Sequence, residues 1–283
     1  MLSFTVAGRR RLSNEMDNLR LLAVLAHPDD ESLGFGGTFA KYAAEGVETF
    51  LVTATRGERG RYRGHRDGEH HPGRARVAEI REAELRAASA ALGIREVSLL
   101  DYPDQEVDRA DPRDAVARIA SHIRRVRPHV VMTFGPDGVY GHPDHIAIAQ
   151  FTTAAAIVAG APEAGGGPAH AVSKLYYMVW SQTVWTLYQQ AFTTLGSQVD
   201  GVQRTAVAWP DWAITSIVDA SDYWATVWRA VSCHESQVAT YERLKALAPE
   251  DHQTIWGRQC FYRVFSTVNG GRARESDLFE GLR

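Results

Sequence analysis

The chain has 283 residues, 45% hydrophobic and 23% charged, a composition of ordinary globular proteins that excludes collagen, coiled coil and wholesale disorder. With 31 basic against 34 acidic residues the formal charge is −3, so no global field favours nucleic acid or an anionic membrane, and a small, weakly charged ligand fits better. The two cysteines, Cys233 and Cys260, stand far apart, which leaves histidine and carboxylate as the ligands of any metal.

Residues 1–18 carry Arg9-Arg10-Arg11 without a long apolar stretch or a small-residue cleavage site, so they read as a loosely attached segment and not as a secretory signal. A cytoplasmic location is the default. No uninterrupted apolar run reaches the roughly 20 residues that span a bilayer, so no membrane insertion is expected. Four short apolar runs follow, Leu21 to Ala26, Thr49 to Thr53, Val97 to Leu100 and Val130 to Phe134, and each reads as a buried strand. Between them Arg76 to Leu92 has helical spacing, with Val77, Ile80, Ala83, Glu84 and Ala87 on one face and Gly93 as its stop; Asp114 to Arg127 is a second helix. Strands alternating with helices predict an α/β fold: a Rossmann-like, doubly wound, mostly parallel sheet with helices on both faces. In the order 3-2-1-4-5 the first and fourth strands are neighbours, and a ligand crevice opens beyond their carboxyl ends.

Gly160 to Pro168 reads as a loop. Beyond it Leu175 to Val179 and Ile214 to Val218 look like strands, and Tyr223 to Leu247 and Thr254 to Phe265 look helical. No internal repeat is found. The expected organisation is one domain over 19–283, with a core at 19–159 and a less regular extension at 169–283 that adds to the sheet and forms a substrate-side lobe.

Two motifs carry the chemistry. Ala26-His27-Pro28-Asp29-Asp30-Glu31 follows the first strand and Tyr140-Gly141-His142-Pro143-Asp144-His145 follows the fourth. Nearly 115 residues separate them, yet the strand order brings them together across the crevice. Each alone reads as a capped loop histidine; together they call for a common cause, and a metal held by imidazole and carboxylate supplies one.

Through these motifs the chain resembles the LmbE-like or PIG-L superfamily of zinc deacetylases, in order over about Leu21 to Ile148 and more weakly through His234-Glu235-Ser236-Gln237. The resemblance implies that His27, Asp30 and His145 hold zinc, or iron(II) on the same ligands, and that Asp29 is the general base towards water. It implies His142, oriented by Asp144, as acid or oxyanion stabiliser; Tyr140 is placed to add a hydrogen bond to the oxyanion. Asp144 as a helix cap and Tyr140 as a packed aromatic are the plain alternatives.

Substrate contacts are expected from Glu58, which matches a family Gly-Glu, from Arg81 and His234, also by resemblance, and from Asp104, which follows the third strand on the catalytic side. Their alternatives are an exposed helix arginine paired with Glu84 or Glu79, a helix-surface histidine and a turn aspartate. The loop Arg56 to Arg76 reads either as a plain solvated loop or, because it follows the second strand on the catalytic side, as a cover for a polar ligand, and its His70-His71 pair is left out as a metal site. Trp180, Trp185, Trp209 and Trp212 offer either sugar-stacking faces or packing.

The resemblance implies removal of an N-acetyl group from an N-acetylglucosamine-containing small molecule by a zinc-activated water, with no nucleic-acid partner and with homo-oligomerisation left open. An amidase acting on a thiol S-conjugate and a non-catalytic sugar-binding relative are the alternatives. A nucleotide-binding module is disfavoured, because Leu33-Gly34-Phe35-Gly36-Gly37 comes after the acidic turn and Asp29-Asp30-Glu31 would repel a pyrophosphate.

Overall fold

The computed structural model describes residues 18–66, 68–162, 167–191, 196–199, 201–237 and 242–283; apart from Asn18, the expected loose segment 1–18 lies outside the described residues. Strands β1 (Arg20–Leu25), β2 (Glu48–Thr53), β3 (Glu96–Leu99), β4 (Val130–Phe134) and β5 (Lys174–Val179) pair in parallel in the order β3-β2-β1-β4-β5. β9 (Arg258–Ser266) joins β5 antiparallel and β8 (Ser216–Asp219) joins β9 antiparallel, so residues from both halves of the chain share one seven-stranded sheet. The unbroken apolar runs of β1 and β4 follow from this position: both faces are covered, and neither strand alternates.

Helices α1 (Asp30–Leu33), α2 (Gly36–Ala44) and α3 (Arg74–Ala91) follow β1 and β2, and α4 (Pro112–Val126), α5 (Gly138–Gly141) and α6 (Pro143–Val158) follow β3 and β4. α7 (Gln182–Ala191) follows β5; α4 packs on α6, and both α2 and α3 pack on α8 (Trp224–Cys233). Among the described residues, no helix is long and apolar enough to cross a membrane.

Three expectations change. The buried stripe of α3 is Val77, Arg81, Leu85, Ala88 and Ser89, while Ala83 and Ala87 are exposed. Alanine gains little by burial, and Arg81, which finds its partners inside, sets the rotation of the helix. The helix expected over Thr254 to Phe265 is instead the end of α9 (Pro249–Gly257) running directly into β9. Helix and strand patterns overlap in that short apolar stretch, and Gly257 is the break between them. The long helix expected over Tyr223 to Leu247 stops with α8 at Cys233, and among its described residues only a 3-10 turn at Glu242–Ala246 resumes helical structure.

The sheet extension is held by one buried carboxylate. Glu275 accepts hydrogen bonds from Lys174 Nζ, Tyr176 OH, Ser216 Oγ and Asn269 Nδ2, each at 2.7 Å, and Arg263 Nη1 lies at 2.9 Å. Burial acts to raise its pKa, but Lys174 and the hydroxyl and amide donors outweigh that and hold it at about 2. A depressed acid contributes stability above its unfolded pKa of about 4.3 and loses it as pH falls through the folded value. Melting temperature measured against pH is therefore expected to drop between about 4.3 and about 2. Glu275→Gln is expected to flatten that drop and to destabilise the protein by about 3–5 kcal/mol, because Lys174 is left buried without its counter-ion.

Candidate active site and metal centre

β1 and β4 lie side by side, Leu21 opposite Val130 and Ala23 opposite Met132, so the loops beyond their carboxyl ends share one crevice. After β1 the chain turns through His27 and Pro28, and His27 N donates to Asp30 Oδ2 at 2.7 Å, which folds the Asp30 carboxylate back towards the imidazole. After β4, Val139 takes φ 68, ψ −56 and Gly138 φ 61, a turn that places Tyr140 and His142 over the strand end. His142 caps α6, its Nδ1 accepting from Asp144 N at 3.2 Å, and His145 stacks on Phe134 with centroids 4.0 Å apart. A hairpin of β6 (Gly196–Val199) and β7 (Val202–Thr205) braces this loop: Arg204 Nη1 donates to Gly141 O at 3.2 Å. Trp209 Nε1 adds a hydrogen bond to Asp137 Oδ2 at 3.1 Å.

The structure brings His27, Asp30 and His145 together. His27 Nδ1 lies 3.2 Å from His145 Nε2 and 3.6 Å from Asp30 Oδ2, and His145 Nε2 lies 3.4 Å from Asp30 Oδ1. Ligand bonds of about 2.0–2.1 Å in a tetrahedron put donor atoms about 3.3 Å apart, so this donor set fits zinc or a similar divalent ion. Burial first, then the neighbouring His27 and His142, lowers the pKa of His145 to about 3, which leaves its ring neutral and able to ligate. His142 comes within ligand range of His27 and His145, and Asp104 and Asp144 come within ligand range of His27.

His27 Nε2 faces away from this cradle, 3.1 Å from Asp144 Oδ2 and 3.3 Å from Asp104 Oδ1. Burial acts to lower the His27 pKa, but Asp104, Asp144 and Asp30 together raise it well above the ordinary imidazole value, so an ion at Nδ1 would take the place of a proton there while Nε2–H stays on the carboxylates. A ligating histidine commonly gives its other N–H to a carboxylate, which fixes tautomer and ring orientation. Two expectations change here. Asp144 does not orient His142 with its carboxylate, which instead takes His27 and the backbone N–H groups of Gln105 at 2.7 Å and Val107 at 3.1 Å. Asp104 is buried, turned towards His27 and accepting from Arg59 N at 2.8 Å, in place of opening to a sugar. Both follow from the loop after β3, which folds under the cradle with Gln105 at φ 63.

Asp29 stands beside the cradle with a left-handed backbone, φ 106, ψ −25, a strain of about 1–3 kcal/mol for a residue other than glycine. Arg81 Nη2 donates to Asp29 Oδ2 at 3.1 Å and to Pro28 O, and Arg81 Nη1 donates to Gly57 O at 2.8 Å. Arg81 is thus a buried anchor and not an exposed helix arginine. Gly57, at φ +64, is required there because a Cβ would collide with that guanidinium. Glu58 is half-buried, accepts from Asp104 N at 2.8 Å, and with Arg56, Asp101 and Tyr102 lines a cavity of about 240 Å³. Burial, with the Asp30 charge, raises the Tyr140 phenol so that it stays protonated, 5.1 Å from the His145 ring between centroids.

His234 departs most from expectation: it is fully buried and pairs with Glu31 at 2.7 Å instead of lining the cleft. The tryptophans mostly pack. Trp180 stacks on Tyr188, Trp185 Nε1 bonds Ala206 O, Trp209 braces the loop and Trp212 is exposed. Glu31 was present in the first motif without a role of its own; the only hint in sequence was a third acid in the Asp-Asp-Glu run, which a strand-to-helix turn can direct inward.

Two histidines and an aspartate at the switch point of a Rossmann-like sheet, with a second carboxylate next in the chain, form a cluster able to hold a divalent ion. Residues 22–156 match the family model PIG-L: GlcNAc-PI de-N-acetylase, and the chain belongs to that family. It is 33% identical to the 1D-myo-inositol 2-acetamido-2-deoxy-alpha-D-glucopyranoside deacetylase of Kineococcus radiotolerans, over 93% of this chain and 83% of that one. The N,N'-diacetylchitobiose deacetylase of Pyrococcus horikoshii superposes with a TM-score of 0.64 at 20% identity, over 88% of this chain and 85% of that one. The 4-carboxy-2-hydroxymuconate hydratase of Pseudomonas putida gives 0.65 at 24%, over 90% and 100%. One is a deacetylase and the other a hydratase, so these two likenesses speak for the fold alone.

Proposed function

We propose that the chain hydrolyses the acetamide of an N-acetylglucosamine-containing small molecule, releasing acetate and a free amine. The observation that carries this is the tetrahedral spacing of His27 Nδ1, Asp30 and His145 Nε2 with the Asp29 carboxylate anchored beside them. Relatives that share a third of the sequence are named deacetylases of an N-acetylglucosaminyl-inositol, which supports the same substrate class. Zinc suits the donor set and iron(II) is compatible with it. Bound there, the ion would polarise the acetyl oxygen and lower the pKa of water towards about 7.

The protein's own groups do the rest. Asp29 accepts the proton of the attacking water and returns it to the departing amine, with Arg81 keeping its carboxylate in place. His142 accepts Asp144 N–H on Nδ1, so its ring proton sits on Nε2. Burial, then the neighbouring His27, lowers its pKa to about 4, so at neutral pH it is an uncharged donor to the developing oxyanion and not an imidazolium acid. Tyr140, kept protonated, is a second donor. In the cavity beside Glu58, the charged groups of Arg56, Glu58 and Asp101 suit hydroxyls of the sugar or of its aglycone. A cytoplasmic small-molecule enzyme is the setting we assign.

Acetate release tests this with 1D-myo-inositol 2-acetamido-2-deoxy-α-D-glucopyranoside, N,N'-diacetylchitobiose and N-acetylglucosamine. Release from at least one is expected, lost on chelation and restored by zinc. No acetate from any of them with metal bound would overturn the proposal.

A further inference from the structure

His234 and Glu31 are both fully buried, 203 residues apart in sequence, and they meet directly behind the Asp29 turn. Glu31 Oε1 accepts from His234 Nε2 at 2.7 Å and from Ser32 Oγ at 2.6 Å. Glu31 Oε2 accepts from Asp29 N at 2.9 Å. A carboxylate only accepts, so the His234 proton that faces it lies on Nε2. Among the described residues His234 Nδ1 is buried without a hydrogen-bond partner, and the ring's polar contact there is made through Glu31.

The turn needs such support. Asp29 holds φ 106, ψ −25, a region that L residues enter only when their surroundings impose it. Its carboxylate is held from one side by Arg81 and its backbone N–H from the other by Glu31. Glu31 in turn cannot swing away while His234 and Ser32 hold its second oxygen.

His234 is itself fixed by its neighbours. Ser236 N and Oγ both donate to the Glu84 carboxylate at 2.7 Å, and Gln237 Nε2 donates to Arg61 O at 2.6 Å. Arg63 N donates back to Ser236 O at 2.6 Å. Glu84 lies on α3, one turn from Arg81, so both supports of Asp29 are tied to the same helix.

We infer that His234 is a positioning residue for the base: through Glu31 it pins the Asp29 N–H, holds the turn at positive φ and so aims the carboxylate at the metal cradle. This rests on the role proposed above for Asp29. It assigns to the C-terminal half of the chain a part in proton transfer that occurs on loops of the N-terminal half.

The test compares His234→Ala and His234→Gln with wild type, and uses Ile119→Val, a core truncation in α4 away from the site, as a control for lost stability alone. The probe is 1D-myo-inositol 2-acetamido-2-deoxy-α-D-glucopyranoside; kcat, KM, metal content and a crystal structure of each variant are read. His234→Ala is expected to lower kcat by about 10–100-fold, as an ångström-scale misplacement does, with unchanged metal content and KM within about 3-fold. His234→Gln, whose Nε2–H reaches the same carboxylate, is expected to recover most of that loss. Ile119→Val is expected to lower the melting temperature and leave kcat alone. In the crystals Asp29 should leave positive φ in the alanine variant and keep it in the glutamine variant.

The inference is overturned by wild-type kcat in His234→Ala, by a glutamine variant as impaired as the alanine one, or by Asp29 remaining near φ 106 without His234. If the wild type releases acetate only from one of the other two compounds named above, kcat is read with that one; if it releases none from any of the three, the proposed function fails and the Asp29 backbone in the variant crystals decides this inference by itself.

Discussion

Replacing Asp29 with Asn is expected to lower kcat for acetate release by about 10²–10⁴-fold, the usual contribution of a positioned proton acceptor, while bound metal stays at the wild-type level. Asn keeps the shape of the side chain, and its amide oxygen still accepts from Arg81 Nη2, which lies 3.1 Å from Asp29 Oδ2. What it loses is the capacity to take a proton. Because that capacity is used only on the way to the transition state, kcat and kcat/KM should fall together with KM little changed. Steady-state kinetics on metal-analysed protein checks this. Loss of the metal in the Asn variant would move Asp29 from the proton step into the cradle, and unimpaired turnover would remove it from the mechanism.

The second large effect is expected at the cradle. His145→Ala removes one of three donors and should weaken metal binding by more than about 100-fold, beyond the range of about 10–100-fold typical for loss of an outer partner. Asp144→Asn, which alters the group 3.1 Å from His27 Nε2, is expected to fall inside that outer range. Competition with a chromophoric chelator measures both. The ranking separates the donor sets that share His27. If Asp144→Asn weakens binding more than His145→Ala does, the ion is held on the Asp104 and Asp144 side of the ring. Wild-type affinity in His145→Ala would remove His145 from the cradle altogether.

These expectations depend on residues whose legibility in the sequence differed sharply. His27, Asp30 and His145 could be placed together because each stands within a few residues of a strand end and the strand order is constrained by right-handed crossovers. Arg81 and Asp104 could be noticed but not aimed. A helix rotated by one position turns Arg81 outward, and the direction of Asp104 depends on a left-handed residue at Gln105. His234 was visible as part of a motif, yet its pattern could not say that α8 ends at Cys233 and delivers the ring inward to Glu31. In the second half β8 was legible as a strand, while the overlap of helix and strand periodicity hid β9, and with it the antiparallel pairing that joins β8 to β5.

By itself the sequence determined the alternation of strands and helices, the switch point and the donor types gathered there. Those follow from local periodicity, turn chemistry and chain connectivity, which act over a few residues at a time or through general rules of handedness. Only the tertiary structure decided which side chains face one another: Asp144 towards His27, Arg81 towards Asp29, His234 towards Glu31. The physical reason is that such pairings depend on ångström-scale rotations of elements packed from distant parts of the chain, and a buried polar group takes whichever partner that packing brings within hydrogen-bond distance.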